Sequence, residues 1–249
     1  MLRRLHTLLY TAPWSGVCLL CRQPTHQPLL CAWCTADLPL TRHACPGCGI
    51  EMPSAARRCG RCQQHPPAWD QLRILSDYQP PWDTLIGRLK YQQQPEIASL
   101  LARLFARQHP RLAEPEALLP VPMHWWRQWR RGYNQAECLA QCLADVYAPP
   151  RAGLSPSPIT PSRLRVANQH LVRQRATRSQ AQLSRQARLH NLQQAFRCPP
   201  IPWRRVALVD DVVTTGATAG VLCDLLRAAG AEWVEVWAIC RTQRIGNRD

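Results

Sequence analysis

The sequence predicts an α/β fold, a mostly parallel sheet flanked by helices, preceded by a small cysteine-rich module. Three observations carry this. Short apolar runs alternate with amphipathic helical stretches from about residue 67 onward; eight of the thirteen cysteines form four C-x2-C pairs between Cys18 and Cys62; and a strand-loop-helix segment, VALVDDVVTTGAT, spans Val206 to Thr218. Alternating strands and helices favour a parallel sheet, because each parallel crossover lays a helix on a face. A chain of 249 residues has room for one such domain and a smaller module.

Residues 1–66 are rich in Cys, Pro and polar turns and show no sustained helical period, as expected of a module folded around metal. The cysteines run C-x2-C-x9-C-x2-C-x10-C-x2-C-x10-C-x2-C. Two thiolates two residues apart grip one side of a tetrahedral ion, and two such knuckles complete a four-thiolate site. Sequential pairing places one zinc on Cys18, Cys21, Cys31 and Cys34 and another on Cys45, Cys48, Cys59 and Cys62. Disulfides, an iron-sulfur cluster, interleaved pairing or a single filled site are the alternatives. Closed four-thiolate sites are structural, so the module is assigned to folding and partner binding. Cys138, Cys142, Cys198, Cys223 and Cys240 are scattered and read as small apolar residues.

A Pro-rich joint, His65-Pro66-Pro67, opens the α/β domain, residues 67–249. A short strand is expected around Leu72 to Tyr78 and a helix over Trp82 to Tyr91. Pro95 suits a first helical position, and Ile97, Leu100, Leu101, Leu104 and Phe105 keep one face apolar until Pro110. Ala117 to Val121 reads as a buried strand. The cluster MHWWRQWRRGYNQ comes next, then a helix from about Gln135 to Val146. Trp125, Trp126 and Trp129, interleaved with Arg127, Arg130 and Arg131, are read as packing residues, with base stacking as the alternative. Five prolines between Pro149 and Pro161 mark an irregular loop, and Gln180 to Gln194 regains helical character. Val206 to Val209 forms a strand, Thr218 to Ala229 a helix stopped by Gly230, and Trp233 to Cys240 the last strand.

The formal charge is +15, and Lys90 is the sole lysine. Eleven arginines and no Asp or Glu lie between Val146 and Val209. Planar guanidinium forks suit phosphate oxygens, which points to a polyanionic partner or substrate; a solvated basic face is the alternative. No run approaches the length of a membrane helix, and the opening residues lack the pattern of an export signal. A cytoplasmic protein without membrane insertion is therefore expected, with thiols kept reduced.

The VALVDDVVTTGAT segment divides into three chemical parts. Four apolar residues form a buried strand that delivers the two aspartates and the threonine loop to the carboxyl edge of the sheet. Asp210 and Asp211 are suited to accept hydrogen bonds from a ribose diol or to hold a magnesium-bound sugar. Thr214, Thr215, Gly216, Ala217 and Thr218 offer hydroxyls and backbone N–H groups at a helix N-terminus, where phosphate is favoured. Simple helix capping needs one Ser or Thr; this loop has three threonines, a glycine and two carboxylates in order.

This run resembles the phosphoribosyl pyrophosphate signature of type I phosphoribosyltransferases. The whole chain resembles the ComF/GntX family, associated with DNA uptake and use in bacteria. Further support comes from Lys90-Tyr91, Leu119-Pro120-Val121-Pro122, Arg131-Gly132-Tyr133-Asn134-Gln135 and the series from Arg175 through Arg185, Arg188 and Asn191 to Phe196. The stretch from Pro149 to Asn168 departs from the pattern as an insertion. The resemblance implies a type I phosphoribosyltransferase-like fold, ribose hydroxyls facing Asp210 and Asp211, and a 5′-phosphate held by Thr214 to Thr218. It places a pyrophosphate loop at Val121, Pro122 and Met123, with Arg127, Arg130 and Arg131 in reach of the leaving group. Arg185 and Arg188 share a helix face that can close over pyrophosphate or meet a nucleic-acid backbone. The implied ligands and partners are phosphoribosyl pyrophosphate with Mg2+, single-stranded DNA and other DNA-uptake proteins. A nucleobase-salvage transferase and a non-catalytic nucleic-acid adaptor are the rival readings. The motif specifies ligand binding and leaves turnover and the acceptor open.

Overall fold

Strand and helix signals resolve into a parallel sheet with helices on both faces. The structure, a computed structural model, describes residues 16–54, 58–91, 94–110, 115–123, 125–148, 164–174 and 194–242. The chain divides into two compact units, Met1–Leu40 and Thr41–Asp249.

In the first unit, β1 (Gly16–Val17) and β2 (Pro24–Thr25) pair antiparallel, and the five-residue helix α1 (Ala32–Ala36) comes after them. Among its described residues, Cys18, Leu30 and Leu38 are the buried apolar ones.

The second unit contains α2 (Gly60–Gln64), β3 (Gln71–Arg73), β4 (Ser76–Asp77), α3 (Trp82–Tyr91) and α4 (Glu96–Gln108). Then come β5 (Ala117–Pro120), α5 (Trp125–Arg131), α6 (Gln135–Val146), β6 (Arg165–Val166), β7 (Val172–Arg173), β8 (Phe196–Arg197), β9 (Arg205–Val213), α7 (Ala217–Ala228) and β10 (Trp233–Arg241). Sheet order is β3-β10-β9-β5-β6, all parallel, with β4 also paired to β10. The β7 and β8 strands form a separate antiparallel pair.

Both faces of the central strands are covered, so β9 and β10 read as continuous apolar runs. Val206, Leu208, Val234 and Val236 pack with Val221, Leu222 and Leu226 of α7. Toward the other face, Trp237 stacks on Phe105 of α4 at 5.5 Å and on Tyr147 at the end of α6 at 5.7 Å. Glu235 is fully buried in β10 and fully engaged. Arg73 Nε donates to it at 2.8 Å and Trp237 Nε1 at 2.7 Å, which is what makes a buried carboxylate tolerable.

The strand expected over Leu72 to Tyr78 is broken into β3 and β4, both against β10. The strand expected over Val206 to Val209 runs on to Val213, because β10 pairs with it as far as Arg241. Arg165 and Val166 close one edge of the sheet beside β5. Among the described residues no helix is long and apolar enough to cross a membrane.

Candidate functional site: a cleft at the carboxyl edge of the sheet

The extension of β9 carries Asp210 and Asp211 within the strand. Asp211 is buried, and Lys90 Nζ lies 3.0 Å from its Oδ1. Lys90 is placed by the end of α3, where the Leu89 carbonyl accepts a hydrogen bond from the Tyr133 hydroxyl. Asp210 is half-buried, and its Oδ1 accepts from the Asp211 N–H at 2.8 Å. Burial, with the Asp211 charge adding to it, raises the Asp210 carboxyl to about 7, against the pull of that N–H and of Lys90. Of the two adjacent carboxylates, Asp211 pairs with a cation and Asp210 is poised near neutrality.

Beyond Val213 the chain turns through Thr214 and Thr215 into α7. Its N-cap is Gly216 at φ 76°, a left-handed conformation that favours glycine. No side chain caps α7 at Gly216, although Thr215 Oγ1 accepts from the Ala217 N–H at 3.3 Å. The first turn therefore presents backbone donors and a positive dipole end beside the carboxylates, a combination suited to an anion carried on a hydroxylated or metal-bound group.

The opposite wall is the segment after β5. Val121 N–H donates to the Val209 carbonyl at 2.8 Å, and Val121 C=O accepts from Asn134 Nδ2 at 3.2 Å. Asn134 also caps α6, accepting from the Ala136 N–H at 3.1 Å. Together these walls enclose a cleft of about 280 Å³.

Of the residues singled out from the sequence, Asp210, Asp211, Thr214, Gly216, Ala217, Thr218, Val121, Pro122, Met123 and Arg131 line this one cleft. Thr215 lies on the exposed side of the turn. Arg127 and Arg130 lie on α5, and nothing is described of their side chains; Arg185 and Arg188 fall outside the described residues. The cleft also includes Lys90, Gln135 and Arg173, which were not singled out as site residues. Gln135 is 2% exposed; its Oε1 accepts from Arg131 Nη1 at 3.2 Å, and its Nε2 has no hydrogen-bond partner among the described residues. A buried donor left unpaired is costly, and one facing a cleft is available to a ligand acceptor. Its signal in the sequence was its place two residues after Tyr133 at the start of an apolar helix.

Trp126 and Trp129 depart from the packing expectation. They are 50% and 79% exposed.

The eight paired cysteines gather as their spacing predicts. Cys18, Cys21, Cys31 and Cys34 form one group, and Cys45, Cys48, Cys59 and Cys62 the other, with ligand atoms in each within 4.8 Å of one another. Cys21 and Cys31 Sγ are 3.8 Å apart and Cys48 and Cys59 Sγ 3.6 Å; thiolates at about 2.3 Å around a tetrahedral ion would be about 3.8 Å apart. Both groups can hold a metal ion. Backbone N–H groups point at the sulfurs, Cys31 N to Cys18 Sγ at 3.4 Å and Cys59 N to Cys45 Sγ at 3.2 Å. Burial alone would raise the Cys18 and Cys45 thiols, but these donors bring them down to about 6 and about 7. In the same two groups burial raises the Cys34, Cys48 and Cys62 thiols, so the sulfurs of each group differ in how readily they give the thiolate a metal needs.

No protein-family model matches the chain. It is 37% identical over 237 residues to the DNA utilization protein YhgH of Escherichia coli strain K12 and to that of Salmonella typhimurium strain LT2, covering 91% of this chain and 97% of each relative. It is also 37% identical over 236 residues to competence protein F of Haemophilus influenzae, covering 90% of this chain and 96% of the relative. A solved purine phosphoribosyltransferase from Pyrococcus horikoshii has a TM-score of 0.30 and 13% identity, over 61% of this chain and 85% of its own, a likeness that decides nothing further. Identity at this level along nearly the full length of both partners places the chain in the ComF/GntX family, with competence protein F and the DNA utilization proteins.

Proposed function

We propose that the cleft binds phosphoribosyl pyrophosphate with Mg2+ and that the protein serves the handling of incoming DNA. The observation that carries this is the meeting of the Asp210-Asp211 pair with the N-terminus of α7 in one cleft. Asp210 and Asp211 accept from the ribose hydroxyls, and the N–H groups and hydroxyls of Thr214 to Thr218 hold the 5′-phosphate. In this reading Gln135 Nε2 and Arg131, which line the cleft, donate to the pyrophosphate oxygens. Magnesium, when bound, would neutralise pyrophosphate charge. The names of the relatives, DNA utilization protein and competence protein, support the cellular role. Each cysteine group holds a structural zinc in this reading. If the ligand turns over, an acceptor displaces pyrophosphate at the anomeric carbon while the cleft supplies orientation and charge.

Titration of the zinc-loaded protein with phosphoribosyl pyrophosphate and Mg2+, beside the Asp210→Asn, Asp211→Asn double variant, tests the reading. Saturable binding by the wild type and a loss of roughly tenfold or more in the variant is expected. No binding by the wild type, or equal binding by both proteins, overturns it.

A second reading, a nucleic-acid adaptor, is favoured by the exposed rings of Trp126 and Trp129 on a chain of charge +15. It requires binding of single-stranded DNA that weakens steeply with salt and is diminished in Trp129→Ala.

A further inference from the structure

The second cysteine group and the phosphate loop are joined by one side chain. Trp69 is 8% exposed, and its Nε1–H donates to the Gly47 carbonyl at 2.8 Å. Gly47 lies inside the knuckle formed by Cys45 and Cys48 and is held close to Cys62. A Cβ at Gly47 would stand 2.8 Å from both Cβ and Sγ of Cys62. At its other end the Trp69 indole reaches the N-cap of α7, where a Cβ at Gly216 would stand 2.8 Å from Trp69 Cη2. One ring therefore spans from a metal-ligand loop to the turn that aims the α7 donors.

Neighbouring contacts fasten the same segment. Arg58, next to Cys59, donates through Nη2 to the carbonyls of Trp69 and Asp70 at 3.4 and 3.0 Å. Leu72 N–H donates to the Pro46 carbonyl at 2.6 Å. Asp70 accepts from Arg227 Nη2 at 2.6 Å, and Arg227 sits in the last turn of α7. The segment Ala68 to Asp70 thus touches both ends of α7 and hangs from the second cysteine group.

We propose that Trp69 is a positioning residue through which the metal state of the Cys45, Cys48, Cys59 and Cys62 group sets the geometry of the Thr214 to Thr218 loop. Filling that group fixes Gly47, Gly47 fixes the indole, and the indole holds the Gly216 turn from behind. The inference rests on the cleft binding a phosphorylated ribose and on the group holding zinc. By linkage the effect runs both ways, so ligand in the cleft slows loss of this one metal.

The test uses the full chain loaded with zinc and its Trp69→Phe variant, which keeps a ring but loses the Nε1–H and the far edge against Gly216. Metal content, amide hydrogen exchange of the Thr214 to Ala219 segment with Trp82 to Tyr91 as internal reference, and affinity for phosphoribosyl pyrophosphate with Mg2+ are measured. Zinc release to a metal-binding dye is followed with and without that ligand. Trp69→Phe is expected to keep its zinc and its reference exchange, to exchange faster in the loop, and to bind ligand roughly tenfold or more weakly. Saturating ligand should slow release of one zinc in the wild type and not in the variant. Unchanged loop exchange in a zinc-loaded Trp69→Phe protein overturns the proposal. So does ligand-slowed zinc release that persists in the variant. Failure of the wild type to bind ligand would instead remove the reading of the cleft, and loop exchange would still decide the role of Trp69.

Discussion

The two cysteine groups have the same ligand set and almost the same spacing, yet they stand in different physical settings. The first, in Met1–Leu40, sits in a unit with two-residue strands and a helix, α1, that buries no residue. The apolar surface buried among its described residues is too small to offset the entropy of ordering them, so a metal would supply most of their folding energy. The second group is built into Thr41–Asp249, with Cys45 and Cys62 buried and Pro46 hydrogen-bonded to β3. Spacing specifies that four sulfurs can meet; what they then support is decided by the residues packed around them.

Removing one ligand from each group gives the largest expected contrast. Cys62→Ser should lower the unfolding free energy of the second unit by at least about 3 kcal/mol, since it removes a packed side chain that a bound metal would also use as a ligand. Cys21→Ser, at an exposed ligand, should unfold the first unit locally and leave the second unit's transition within about 0.5 kcal/mol. Denaturant unfolding monitored by exchange of peptides from each unit checks this, and equal losses in the second unit would erase the distinction. A smaller contrast comes from glycines. Gly47→Ala drives a methyl against Cys62 and should cost about 1 to 3 kcal/mol. Gly16→Ala in the first unit meets only the Thr25 carbonyl at 3.9 Å, so a change under about 0.5 kcal/mol is expected.

How far the sequence carried the fold depends on which signal was local. Helix α4 was legible because Ile97, Leu101, Leu104 and Phe105 share one buried stripe. The cysteine groups were legible because C-x2-C fixes two ligands on one turn. The end of β9 was not, since Asp210 and Asp211 look like the start of a loop until β10 is seen to pair beside them. Lys90 and Gln135 stand in short motifs that carry the family resemblance, but their place in the cleft depends on contacts from other elements. Trp69 was missed for the same reason: its partners are Gly47 and Gly216, far away along the chain. A division of the chain near residue 66 followed composition, whereas packing divides it between Leu40 and Thr41.

The smallest effect separates two titrations of opposite sign at half-buried side chains, both in the second unit. His109 Nε2 donates to the Ile74 carbonyl at 3.0 Å, and burial lowers its pKa from 6.5 to about 4 despite that bond. Between those values the unfolded chain binds a proton that the native protein does not, so His109 makes the fold weaker as pH falls from 7 to 5. Asp210 is raised from 3.8 to about 7, so over the same range the native protein holds a proton that the unfolded chain lacks. Acidification therefore strengthens the fold through Asp210. Each contribution is on the order of 1 kcal/mol between pH 7 and pH 5, and in the wild type the two oppose each other. Urea unfolding at the two pH values should show Asp210→Asn losing stability on acidification and His109→Gln gaining it, each relative to wild type. The first unit contains neither group, and its His26 is exposed, so peptides from that unit should show no such opposite tilt. Protonation of metal thiolates would shift wild type and both variants together, and parallel shifts alone would show that these two side chains do not titrate as their surroundings imply.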